Sequence, residues 1–177
     1  PQTFPRLLAT DAGVTRVAIT QPGTGERLTL RCDRALDRAS QQQVRAGISR
    51  MLRLDEPAET IAEFHKVDKR WRKSGRGRLF RSPTLFEDMV KTITSCNVTW
   101  RNPLVMNKMM VTHVGHGGFP TPAQLADFGE QRLKDKCKVG YRADRIIRLA
   151  RAVLNGELDL AGFEDPSRTT EEIYAAF

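Results

Sequence analysis

The sequence predicts an α+β fold: a small N-terminal antiparallel β-sheet with helices, followed by an all-helical region. Three observations carry this. Val14 to Thr20 and Arg27 to Cys32 alternate in hydropathy around the turn-forming run Gln21-Pro22-Gly23-Thr24-Gly25, the pattern of two antiparallel strands and their loop. From Ser40 onward the apolar residues recur at helical spacing,. Ser82 to Asn102 (SPTLFEDMVKTITSCNVTWRN) then holds two helix starts around a short polar corner, which reads as a helical hairpin.

Composition sets the frame. The chain of 177 residues (20.0 kDa) is one large domain or two small ones and is long enough to bury a core,. With 40% apolar and 28% charged residues it has the make-up of a soluble globular protein,. No apolar run approaches the ~20 residues a membrane helix needs, and no signal-peptide pattern opens it. Cys32, Cys96 and Cys137 are odd in number and scattered, so no disulfide framework is expected and a reducing compartment is. The net charge of +8 is clustered. Lys66 to Arg81 holds eight basic residues against Asp68, net +7, and Arg132 to Arg151 eight against Asp135 and Asp144, net +6. Two such clusters are either solvated basic faces or the footprint of a phosphate backbone.

Taken in order, residues 1–13 carry little pattern. The two strands that follow are marginal as a pair and must pack on helices or join further strands. Val44, Ile48, Met51 and Leu52 line one face of a first helix, which Pro57 closes while starting a second,. There Ile61, Phe64, Asp68 and Trp71 share a face, so its last turn leaves the core. Lys73-Ser74-Gly75-Arg76-Gly77-Arg78 reads as a flexible basic linker and divides the chain into residues 1–78 and 79–177,.

The central stretch opens with Ser82 as a possible cap, Pro83 suited to the first helical position and Thr84-x-x-Glu87 at capping-box spacing,. Leu85, Phe86, Met89, Val90 and Ile93 form its apolar stripe. After the corner Thr94-Ser95-Cys96-Asn97-Val98-Thr99, Asn102-Pro103 starts a helix with Leu104, Val105, Met106, Met109, Met110 and Val114 as its buried set. A glycine-rich end at 113–118 precedes a short helix from Thr121-Pro122 through Phe128 and another from Glu130 to Cys137, with Gly140 available for the left-handed turn that stops it,. Arg142 to Asn155 is strongly amphipathic, with Ala143, Ile146, Ile147, Ala150, Val153 and Leu154 inward and Gly156 at its end. Asp165-Pro166-Ser167 makes a turn, and Thr169 or Thr170 caps a last helix,.

On residue type alone, Asn97 is a cap or a polar group presented at the corner, and Tyr141 is a half-buried core aromatic. Arg142 is an exposed first-turn residue whose charge sits poorly against the helix dipole. His113 and His116 have i,i+3 spacing without a third ligand, so no metal is expected. Cys96 reads as a packing residue. Glu87 and Asp88 lie in a helix first turn, where negative charge is favourable, and do not read as a catalytic pair.

The runs FEDMVKTITSCN, FPTPAQLA and VGYRADRIIRLARAV, in that order, resemble the helical domain of helix-hairpin-helix DNA glycosylases, in the branch of the 8-oxoguanine and 3-methyladenine enzymes. The similarity covers about residues 79–177 and the N-terminal part more loosely. It implies double-stranded DNA as partner, no cofactor, no membrane, and a monomer working in the nucleoid of a bacterium or the nucleus of a eukaryote. It also implies that Asn97 fills the hole left by a flipped nucleotide, a task for a short side chain with donors and acceptors. Tyr141 would wedge beside the orphaned base and Arg142 read it through its donor fork. Ser95 and Thr99 would add phosphate or base hydrogen bonds. Arg101 would meet the estranged base or a phosphate, although the family's arginine also aligns one residue on, at Asn102.

The resemblance further implies a Gly-rich hairpin followed by a catalytic Asp, and in some members a nucleophilic Lys. Neither appears here, so the helical glycosylase domain is expected to be incomplete, to bind DNA without catalytic residues of its own, and to leave apolar faces on two helices (Leu104, Val105, Met109 and Met110; Ile146, Ile147 and Val153) uncovered. The reading is therefore a DNA N-glycosylase of base excision repair acting on an oxidised or alkylated purine. The alternative is a non-catalytic DNA-binding or lesion-sensing module. An RNA-binding or scaffold role lacks any matching motif.

Overall fold

The computed structural model describes residues 3–23, 27–73 and 76–175. Thr24 and Gly25 of the expected hairpin loop, Ser74 and Gly75 of the expected linker, and the terminal Phe177 lie outside the described residues.

The sheet has three strands: β1 (Thr3–Thr10), β2 (Gly13–Thr20) and β3 (Thr29–Cys32), antiparallel in the order β1-β2-β3. The expected pair is β2 and β3, with Val17 opposite Cys32 and Ile19 opposite Leu30. β1 is an addition, and its composition hid it. Pro5 cannot donate to a ladder and is tolerated because β1 is an edge strand,. Of its core-side residues only Leu8 is a buried hydrophobic, since the side chain of Arg6 on the same face pairs with Glu87. Leu8, Val17 and Ile19 pack on Val44, Ile48 and Met51 of α1 (Arg38–Leu52). Asp37 caps that helix by accepting from the Ser40 N–H at 2.7 Å.

Two short helical pieces follow, and here the structure departs from the expected single helix. α2 (Ala58–Val67) buries no residue, and Asp68 lies beyond its end. Asp68 instead caps a 3₁₀ turn at Lys69–Trp71 and bonds Arg70 and the Trp71 indole. The stretch after it folds back on α1: the Arg78 side chain donates to the Arg53 carbonyl (3.1 Å) and the Arg81 N–H to the Met51 carbonyl (3.1 Å).

The helical part comprises α3 (Leu85–Ser95), α4 (Arg101–His113), α5 (Pro122–Phe128), α6 (Glu130–Cys137), α7 (Arg142–Leu154), α8 (Leu160–Phe163) and α9 (Thr170–Ala175). α3 is capped by Thr84, so Ser82 and Pro83 precede the helix rather than start it. Both are buried, and Ser82 is bonded through its N–H to Asp88 and through its carbonyl to Arg50. Glu87 does not complete a capping box, because its Oε1 accepts from Arg6 (2.7 Å) and Lys91 (2.6 Å). α6 is stopped by Lys138 in the left-handed conformation, and Gly140 (φ 59°) serves the turn into α7 instead. α5 does carry a full capping box between Thr121 and Gln124.

Phe86, Val90, Met106, Met110, Leu125, Leu133, Cys137, Val139, Ala143, Ile146, Ile147 and Ala150 form the second core. Met110, Ile146 and Ile147, expected to await a partner, are buried within this chain. Leu104 and Val105 are exposed, as expected of a face left uncovered, and so is Leu154, which was expected to face inward. The two cores are tied by ion pairs: Arg6 to Glu87, and Arg50 of α1 to both Asp88 of α3 and Glu164, all at 2.7 Å.

Candidate nucleic-acid interface

The α3–α4 corner is built by local chemistry. Cys96 leaves the helix in extended geometry, and Asn97 then takes a left-handed φ of 52°, which asparagine tolerates better than most residues. The Asn102 N–H closes onto the Thr99 carbonyl at 3.0 Å to begin α4 at Arg101, one residue before the expected start. Below the corner, buried Thr94 donates to the Lys91 carbonyl (2.9 Å) and accepts from the Asn107 amide of α4 (3.3 Å). This strap ties the two helices together just below the corner that joins them. Asn97 is exposed, and its side chain bonds none of the described residues. Ser95 and Thr99 are exposed too; the Ser95 hydroxyl donates to the Lys91 carbonyl at 2.7 Å, leaving its lone pairs outward.

The start of α7 is drawn to the same corner by one side chain. Arg142 is only 5% exposed, and its Nη2 donates to the Cys96 carbonyl, the group immediately before Asn97. The expectation of an exposed first-turn arginine is thereby corrected. The guanidinium lies 4.5 Å from the Tyr141 ring centroid, and Arg145 lies 5.6 Å from it on the same helix. Arg142 Nε has no partner among the described residues. Tyr141 itself is 54% exposed, more open than a half-buried core aromatic. Asn97 and the adjacent pair Tyr141 and Arg142, more than forty residues further on in sequence, are thus drawn together through the Arg142 bond to Cys96. The bond to the Cys96 carbonyl uses one N–H of the Arg142 guanidinium and leaves its other donors uncommitted among the described residues,.

Arg101 is exposed at the first turn of α4 and has no ion pair among the described residues. Between Thr99 and Arg101 stands Trp100, 76% exposed, a residue to which the sequence reading assigned no role. A tryptophan inside a polar corner was the signal that could have singled it out.

The basic clusters keep most of their charge free. Lys66 pairs with Glu63, Arg70 with Asp68, Lys134 with Glu130 and Arg148 with Asp144. Lys69, Arg72, Lys73, Arg76, Arg78, Lys136, Lys138, Arg145 and Arg151 are exposed with no ion pair among the described residues. Of the other candidate chemical groups, Cys137 is buried, and desolvation pushes its thiol up to about 11, so it is inert at neutral pH. Cys96 donates to the Thr92 carbonyl. His113 and His116 are exposed, and among the described residues no three His, Cys, Asp or Glu side chains converge as a metal site. Among the described residues no helix is long and apolar enough to cross a membrane.

Comparison with known proteins adds the fold's identity. No family model matches the sequence, and no protein of curated function matches it. Among solved structures 27 chains match. One is a 3-methyladenine DNA-glycosylase from Archaeoglobus fulgidus, 20% identical with a TM-score of 0.74, the match covering 98% of this chain and 61% of that one. At this identity the likeness speaks for architecture, and this chain spans less than two thirds of that enzyme's length. Over nearly all its residues, the chain has the fold of a DNA glycosylase.

Proposed function

We propose that this chain is the DNA-engaging part of a DNA N-glycosylase of base excision repair that flips an oxidised or alkylated purine out of duplex DNA. The observation that carries the reading is the corner. An exposed, unbonded Asn97 amide is held in left-handed geometry and locked by Arg142 beside the outward ring of Tyr141. Such a group can enter a duplex and replace lost base-pair hydrogen bonds while the ring stacks on the exposed neighbour. Thr99 and Arg101 flank it with donors for phosphate or base, and Ser95, whose proton is held by the Lys91 carbonyl, adds an acceptor for a base,. The free cations of the two basic clusters supply backbone attraction. Arg142 acts here as a positioning residue that keeps Asn97 and Tyr141 in register.

Nothing in these 177 residues resembles the Gly-rich hairpin and following Asp that would support bond cleavage. The chain alone is therefore expected to bind without releasing base, which is also the behaviour of a lesion-sensing module. The test is twofold. Fluorescence anisotropy should show tighter binding to a duplex with an abasic analogue than to its intact counterpart, and equal affinity would sink the wedge. Base release from oxidised and alkylated duplex should be nil, and measurable release would locate a catalytic group within this chain.

A further inference from the structure

Trp100 is the largest outward side chain at the corner, and the fold gives no reason for it. It occupies the N-cap of α4, where Ser, Thr, Asp or Asn would satisfy a helix N–H, and it makes no capping bond,. The core beneath is closed without it by Pro103, Met106 and Val98. Leaving an indole in water forfeits burial that its size would otherwise return.

Single exposed apolar groups need no explanation, but this one is not single. Leu104, one turn on, is 56% exposed and lies on the same helical face,. Tyr141 stands exposed across the Arg142 clamp. Unpaired Arg101 adjoins the indole in sequence, and Arg145 lies over the Tyr141 ring. Apolar planes interleaved with free cations suit a polyanion with stackable faces: aromatic rings take bases without regard to sequence, while guanidinium groups take phosphates.

We infer that Trp100 is a second aromatic wall of the interface, stacking on a base left unpaired when a nucleotide leaves the duplex and so favouring gapped or abasic DNA over intact DNA. The inference rests on the DNA-binding reading above and deepens it.

The test uses the full chain with Trp71→Phe, which leaves Trp100 as the sole indole, titrated with a duplex carrying a tetrahydrofuran abasic analogue and with its intact counterpart. Trp100 emission should be strongly quenched by the abasic duplex and little changed by the intact one. Trp100→Ala in the wild-type background should weaken abasic-duplex binding about 5- to 150-fold, the range of one base–aromatic stack. Trp100→Phe should recover most of that loss, and intact-duplex affinity should change less than about twofold in both variants. Should Trp71→Phe fail to fold, fluorine NMR of 5-fluorotryptophan-labelled wild-type protein reports the same contact, with Trp100→Phe assigning the signal. A silent Trp100 in a protein that still prefers abasic duplex, or an equal loss on both duplexes, overturns the inference and leaves the functional reading standing. Failure to bind either duplex overturns both. A response to anionic phospholipid vesicles but not to DNA reassigns the patch to a lipid surface and also overturns it.

Discussion

Asn97 combines two properties that separate substitutions can pull apart, a left-handed backbone and an unbonded amide. Glycine keeps the backbone and removes the amide, whereas alanine removes the amide and adds ~1–2 kcal/mol of strain. Asn97→Gly and Tyr141→Ala are therefore expected to lower preference for abasic over intact duplex, by roughly 1–3 kcal/mol, while general binding falls less. Equal losses on both duplexes in an anisotropy titration would make them backbone contacts. Arg142 belongs to a different class, because its guanidinium is buried against the Cys96 carbonyl. Arg142→Met fills similar space but leaves that carbonyl without its donor, a cost of about 1–3 kcal/mol. In a chain of this size that corresponds to a melting point lower by about 2–4 °C per kcal/mol. The same variant should also lose abasic preference, since Asn97 and Tyr141 drift apart; an unchanged melt with unchanged preference would show that the clamp holds nothing.

At the scale of elements, the sharpest constraint is the turn between α4 and α5. A Cβ on Gly115 would lie 2.1 Å from the Gly118 carbonyl oxygen and 2.9 Å from the Pro120 nitrogen, all of it backbone that cannot swing aside. Gly115→Ala is expected to cost ~3 kcal/mol or more, read as a drop in the denaturant midpoint. Gly117→Ala is the control: its Cβ meets nothing within 4 Å, and only the positive φ of 104° is strained. A Gly115 variant no worse than the Gly117 one would show that the turn is pliable. Other elements are set by equally local means. Thr84 and Thr121 cap α3 and α5, and reciprocal bonds between Thr169 and Glu172 open α9.

For the molecule as a whole, two electrostatic systems act on different quantities. The free cations of the basic clusters are surface charges and, on the function proposed above, govern encounter with DNA. Each neutralised phosphate adds ~0.9 to the log–log salt dependence of binding, so a slope of several units is expected between about 50 and 200 mM salt. A flat dependence would detach these clusters from DNA binding. The second system is the Arg50 staple that joins the two cores through Asp88 and Glu164. Partial burial pushes the Asp88 carboxyl up, but hydrogen bonds from Ser82 and Arg50, with the Arg50 charge, bring it net below its ordinary value of 3.8. A carboxylate lowered on folding contributes stability that is complete above the ordinary value and is lost as pH falls through the lowered one. Unfolding free energy should accordingly decline below about pH 4, and Asp88→Asn should make that decline shallower. Parallel wild-type and variant profiles from pH 5 to 2 would show that the staple carries no acid-sensitive stability.

The sequence by itself determined whatever depends on neighbours along the chain. Helical stripes such as Val44-Ile48-Met51 and Ala143-Ile146-Ile147-Ala150, the Thr121 start of α5, the hairpin of β2 and β3 and the two basic clusters follow from local periodicity and side-chain chemistry, and the structure holds them where expected. What it left open depended on partners distant in sequence. β1 was hidden because an edge strand can carry Pro5 and put Arg6 on its core side, its pairing being supplied by β2. Leu104 and Met110 are apolar residues on one helix, yet only the packing of the helices around α4 decides that Met110 is buried and Leu104 is not. Arg142 shows the same limit at the candidate site. Its charge reads as surface in sequence, and it became the anchor of the corner only because tertiary packing brought the Cys96 carbonyl, 46 residues away, within reach of its guanidinium. Spacing along a chain specifies which face of an element is apolar, while the geometry of crossing elements specifies what that face meets.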